Sequence, residues 1–174
     1  GLFDSANVQY KKIGKGHSVV DENLNGLPVV AHVRHPVTFL ASLWCHRQRS
    51  RKPWQQDEFE TGVGVNNWLQ FVDNVCGHQD WVYRWIHRMI DPYDNIRIFR
   101  IEDGVWDQWV NFFDEIGESY DRNGAIAFRD QQVNVRASET SVALAQLAES
   151  HYDKIYETQK LMYETYGYTK KVNE

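Results

Sequence analysis

Between Pro28 and Arg34 the chain carries a near-continuous apolar run, Val29-Val30-Ala31-His32-Val33. Such a run reads as a strand covered on both faces, the kind found in parallel sheets. Pro36 suits the first turn of a helix, because its missing N–H costs nothing there and its φ is preset. From Val37 the apolar residues fall at 37, 40 and 44, with 39 and 43 alongside, which is one helical stripe running to about Gln48. The pattern therefore predicts strand, short turn and helix, with Arg34 at the carboxyl end of the strand. Open α/β sheets bind ligands at that end, and the start of a helix beside it favours anions.

The rest of the chain follows the same alternation of signals. Tyr10 to Ile13 can form a short strand, Gly14 to Ser18 a loop, and Asp21 to Leu27 a turn-rich link. Arg49 to Gly64 reads as a loop long enough to be functional rather than a plain connection. Val65 to Cys76 is predicted helical, with Gly77 as the residue that ends it in a left-handed turn. Asp80 to Ile90 forms a second helix with a wide apolar face. Ile96 to Ile101 alternates apolar residues with Arg97 and Arg100, as a strand does. It ends at Glu102-Asp103, and Trp106, Trp109, Phe112, Phe113 and Ile116 make the stripe of a following helix that stops at Gly117. Residues 118–130 are polar and irregular. Ser138 to Thr165 carries one long amphipathic pattern that stops near Gly167, with Ser138 suited to cap it. No repeat or low-complexity tract interrupts residues 1–174, which are expected to form a single domain.

The spacing around the first strand carries candidate chemistry. Thr38 and Ser42 are four apart and share a helix face; Arg34 sits just before that helix. A guanidinium and a hydroxyl could converge on one phosphate, the first by a charge-assisted fork. The competing account pairs Arg34 with a carboxylate and makes Ser42 a small residue at a packed contact. The tryptophans on the helical stripes read as core, whereas Trp54, in a polar loop, is the better candidate for a ligand contact.

Arg34-His35-Pro36 followed by Ser42-Leu43, after a hydrophobic strand, resembles the 3′-phosphate-binding motif of sulfotransferases that use 3′-phosphoadenosine-5′-phosphosulfate (PAPS). The resemblance spans roughly residues 10–168. It is specific over 29–44, fair over 96–103, where the family commonly ends a strand in Glu-Asp, and weak elsewhere. It implies that Arg34 and Ser42 hold the 3′-phosphate of the nucleotide. It also implies that His17, in Lys15-Gly16-His17-Ser18, is the base that takes a proton from the acceptor hydroxyl, as an imidazole near neutral pKa can. Gln132 to Ser138 is similar to a late segment of the family near the nucleotide, where Arg136 would add a second cation. The implied fold is three-layer α/β, a small and mostly parallel sheet flanked by helices, like the P-loop-related fold of sulfotransferases but reduced at its N-terminus. The implied activity is transfer of a sulfuryl group from PAPS to a hydroxyl of a small molecule or glycan, without a metal.

One part of the family pattern is missing. Sulfotransferases carry an earlier strand and a loop that grips the 5′-phosphosulfate, and the sixteen residues before His17 cannot supply them. Backbone amides in such a loop would stabilise charge on the transferring group. The chain is therefore expected to be either a truncated piece or reduced member of the family, or a sulfotransferase-like scaffold, without activity, that binds a nucleotide or another anionic ligand. Replacement of the loop by Gly14-Lys15-Gly16 is the less favoured account.

Composition narrows the alternatives. Nineteen basic against twenty-four acidic residues leave a net charge of −5, which argues against charge-driven binding of a nucleic-acid polymer. The local basic run from His46 to Lys52 reads equally as a solvated helix end or as an attractor of anions. His17, His32, His35 and His46 lack a recognised zinc spacing, and a strand would point His32 and His35 apart. Only Cys45 and Cys76 are present; buried free thiols are the default expectation, with a single bridge between them as the alternative. No stretch approaches the ~20 apolar residues of a membrane span, and no signal peptide is visible, so the expected setting is cytoplasmic or unknown.

Overall fold

The computed structural model describes residues 29–50, 63–91, 96–124, 126 and 137–172. His17, Trp54 and Arg136 lie outside the described residues, as does the expected strand at 10–13.

Strand β1 (Val29–Val33) pairs in parallel with β2 (Ile96–Arg100), with Val29 opposite Ile96 and Val33 opposite Arg100. A parallel pair needs a crossover, because the chain must return to the same edge before pairing again. Among the described residues the connection carries three helices: α1 (Pro36–Ser50), α2 (Trp68–Cys76) and α3 (Trp81–Ile90). After β2 comes a 3₁₀ turn, Ile101–Asp103, and then α4 (Val105–Ile116). The C-terminal part is α5 (Ala137–Leu144), α6 (Glu149–Thr158) and α7 (Lys160–Tyr166). The described chain is thus rich in helix, with a small two-stranded parallel sheet between helices.

Each face of the sheet meets its own apolar cluster. Val33 and Ile98 join the larger core, built from α1, α2, α3 and α5 to α7 around Leu40, Phe71, Trp81, Ile155 and Met162, all at most 2% exposed. Phe99 and Val30 join a smaller cluster with Trp109, Phe112 and Phe113 of α4. That two-sided cover is why the sequence of β1 runs apolar rather than strictly alternating. Trp44, Trp68, Trp81, Trp85 and Trp109 are all buried, in line with their reading as core.

Three boundaries differ from the sequence expectation. Helix α2 starts at Trp68, not Val65, because Asn67 caps it: the Asn67 side chain accepts from the Gln70 amide at 3.0 Å. Gly77 keeps right-handed φ/ψ (−73°, −9°), so the turn into α3 is made instead by Asp80, whose φ is +52°. The single long helix expected over 138–165 is three helices. Its last break is set by Gln159, a fully buried amide that accepts from the Val82 N–H (2.9 Å) and donates to the His78 carbonyl (3.1 Å). Asp80 holds the other side of the break, donating its N–H to the Thr158 carbonyl and accepting from the Leu161 N–H through Oδ1. Side-chain and turn groups of one segment thus complete the helix ends of the other.

Candidate functional site at the strand ends

The carboxyl ends of β1 and β2 lie side by side, and Arg34, His35 and the first turn of α1 follow from β1. His35 is the residue before helical Pro36, and its ring caps the helix. Its Nδ1 accepts from the Val37 N–H at 3.2 Å, while its Nε2–H donates to the Thr169 carbonyl at 2.9 Å. These two bonds together select the neutral Nε2–H tautomer. The ring is 2% exposed and meets Tyr163 and Tyr168 edge-on, each at 5.3 Å. Burial pulls the His35 pKa below its ordinary value; the Thr169 carbonyl and Glu102 oppose that shift, and Arg100 reinforces it.

Glu102 bridges the two strand ends. Its Oε1 accepts the backbone N–H of His35 at 3.0 Å and lies 2.7 Å from the Thr38 hydroxyl. That hydroxyl is also 3.0 Å from the His35 carbonyl, but its one proton serves the shorter, charge-assisted contact. Oε2 accepts from the Tyr168 hydroxyl at 3.3 Å. Acids just ahead of a helix ordinarily serve the first turn of that helix. Instead Glu102 serves the start of α1, and Asp103 turns back to Arg100, with Oδ2 3.0 Å from Nε. That last contact is an ion pair not aligned as a hydrogen bond.

Arg100, the last residue of β2, ties down the C-terminal segment. Its Nη1 donates to the carbonyls of Tyr166 and Gly167, both at 3.1 Å, and its guanidinium lies 4.5 Å above the Tyr168 ring. Burial and the neighbouring Glu102 raise the Tyr168 pKa, so the hydroxyl stays a donor.

Of the residues singled out for phosphate binding, Arg34 stands immediately after β1 and Ser42 lies in α1, one turn beyond Thr38 on the same face. Both are partly exposed. Neither the Arg34 guanidinium nor the Ser42 hydroxyl has a hydrogen-bond or ion-pair partner among the described residues. The basic run beyond them is partly engaged, since Arg49 pairs with Glu139 at 3.2 Å. Sequence reasoning missed His35 as the helix cap and Glu102 as the bridge. The His-Pro pair at the helix start was the available signal for the first; nothing local points to the second.

A separate group on α3 has the layout of a proton relay. His87 Nδ1 is 2.6 Å from Asp91 Oδ1 and Nε2 is 2.7 Å from the Tyr166 hydroxyl, with Tyr83 stacked on the ring at 3.7 Å. Burial, Tyr83 and Asp91 push the Tyr166 pKa up to about 12. Its hydroxyl is held protonated, so the arrangement docks α7 onto α3 rather than activating a nucleophile.

Among the described residues no three His, Cys, Asp or Glu side chains gather as metal ligands, and no helix is long and apolar enough to cross a membrane. Cys45 is half-buried and Cys76 buried, both as free thiols, and burial raises both pKa values. Comparison with family models, curated proteins and solved structures finds no match for this chain.

Proposed function

We propose that the chain is a sulfotransferase-like domain that binds the 3′-phosphate of PAPS through Arg34 and Ser42. One observation supports this reading above the others. A parallel strand ends in an arginine, a helix starts two residues later, and a serine follows on that helix. The arginine and serine donors are partly exposed and have no partner among the described residues. Charged and polar donors at the carboxyl end of a parallel sheet, left without internal partners, are what a bound phosphate would satisfy.

On this reading the fold is the P-loop-related sulfotransferase fold, and the nucleotide is a co-substrate rather than a resident group. The acceptor oxygen attacks sulfur in line, the bond from sulfur to the 5′-phosphate oxygen breaks, and 3′,5′-adenosine bisphosphate leaves. His17 takes the acceptor proton, and Arg136 adds charge at the 3′-phosphate. The acceptor is a hydroxyl of a small molecule or glycan.

A second reading is a nucleotide- or anion-binding scaffold without transfer activity. Holding an anion needs only Arg34 and Ser42, the donors without partners among the described residues, whereas transfer also needs His17, which lies outside them. Titration calorimetry with 3′,5′-adenosine bisphosphate tests both. Micromolar binding that weakens at least about tenfold in Arg34→Ala is the expected result, and no binding at millimolar ligand sinks nucleotide binding in either reading. Transfer from labelled PAPS to a panel of hydroxyl acceptors then separates enzyme from scaffold.

A further inference from the structure

Resting on that reading, we infer that Glu102 is a positioning residue for the phosphate site: it clamps the Arg34–His35 peptide and so sets where the Arg34 guanidinium projects. The N–H that Oε1 accepts belongs to the peptide unit joining Arg34 to His35, so the bond fixes the plane that follows the Arg34 Cα. Four further contacts remove the freedom of that clamp. The Thr38 hydroxyl reaches the same oxygen, the Tyr168 hydroxyl reaches the other, and His35 is pinned from the far side by its two ring bonds. A guanidinium on a four-torsion stem reaches a phosphate productively only if its Cα is held, because side-chain ordering must otherwise be met at binding. Glu102 has a negative charge close to an anion site, which would by itself repel phosphate. The three donors and the α1 dipole offset that charge, leaving the geometric effect dominant.

The test compares the bisphosphate with 5′-adenosine monophosphate, which lacks the 3′-phosphate, by calorimetry on the full chain. Wild type, Glu102→Ala, Glu102→Gln, Arg34→Ala and the double variant Arg34→Ala/Glu102→Ala are titrated at a temperature where each is folded by circular dichroism. Glu102→Ala is expected to weaken bisphosphate binding about tenfold or more and to leave the monophosphate unchanged. Glu102→Gln, which keeps an oxygen for the His35 N–H, is expected to recover most of the loss. The double variant is expected to bind no more weakly than Arg34→Ala, since the clamp acts only through Arg34. Should Glu102→Ala fail to fold, Thr38→Val and Tyr168→Phe combined loosen the same carboxylate and are expected to weaken the bisphosphate alone. Additive losses in the double variant, equal losses for both nucleotides, or tighter binding in Glu102→Gln overturn the positioning role while leaving Arg34 as phosphate ligand. Wild type that fails to bind the bisphosphate overturns the phosphate site itself.

Discussion

The Nε2–H of His35 donates to the carbonyl of Thr169 at 2.9 Å, joining the end of β1 to the last described turn of the chain across 134 positions. The same ring accepts from Val37 through Nδ1. Protonation would place an N–H against the Val37 N–H and destroy the cap.

That relationship makes stability depend on pH. Burial depresses the folded-state pKa of His35 below 6.5, the ordinary value taken for the unfolded chain. The unfolded chain then binds the proton more readily, so stability is fully present above about pH 6.5 and falls as pH drops toward the folded-state pKa. Thermal melts between pH 7.5 and 5 should show a decline in Tm that is shallower in His35→Asn, whose amide can still cap Val37 but does not titrate. An equal decline in the variant assigns the pH dependence to other groups.

Gln159 should be among the most sensitive positions outside the apolar core. Its amide accepts from the Val82 N–H and donates to the His78 carbonyl and the Thr158 hydroxyl oxygen, with no exposure to water. Gln159→Leu keeps the volume but strands the Val82 N–H and the His78 carbonyl, at a cost of about 2–4 kcal/mol. Gln159→Glu keeps the acceptor and loses the donor while burying a charge, and is expected to be at least as damaging. Urea denaturation measures both; a loss under about 0.5 kcal/mol for Leu contradicts the role of the amide in holding the break.

These two residues also show what the sequence could carry. The β1–α1 unit is legible because strand, proline and helical stripe are all local signals, and the tryptophans read as core because they sit on apolar stripes. The break at Gln159 is invisible, since Ile155, Leu161 and Met162 continue one helical pattern and the groups that interrupt it come from residues 78–82. Glu102 is illegible for the same reason: an acid ahead of a helix looks like that helix's own cap, and only the parallel register brings it to α1, 64 positions from Thr38. Spacing and the resemblance together link Arg34 to Ser42, and the structure places them at one strand end and on the helix that follows. His17 and Arg136 lie outside the described residues.

Gly117 ends α4 with φ +68°, and a Cβ built there would meet nothing within 4 Å. The cost of a side chain is therefore conformational alone. Gly117→Ala should lower stability by about 1–2 kcal/mol, and Gly117→Asn by less, because asparagine tolerates the left-handed region. The two variants compared by denaturant midpoint give the order glycine, asparagine, alanine; alanine equal to glycine would contradict the left-handed termination.

Arg100 should control whether the C-terminal segment stays on the strand ends. One nitrogen of its guanidinium serves two consecutive carbonyls, Tyr166 and Gly167, and the plane covers Tyr168, whose own amide closes α7 by donating to the Tyr163 carbonyl. Arg100→Ala removes the cation from above the ring and leaves two carbonyls without their donor. Bonds to a charged donor contribute on the order of 1–3 kcal/mol, so hydrogen exchange at the Tyr168 amide should accelerate at least about fivefold, while amides in the middle of α2 change less. Arg100→Lys retains the charge but not the planar fork, and should recover part of the protection. Because Tyr168 also donates to Glu102, release of the segment frees one side of that carboxylate. Arg100→Ala is therefore expected to weaken bisphosphate binding less than Glu102→Ala does, with the His35–Glu102 bond still in place. Exchange at Tyr168 that is unchanged in Arg100→Ala would show that His35 and the α7 packing hold the segment without the guanidinium.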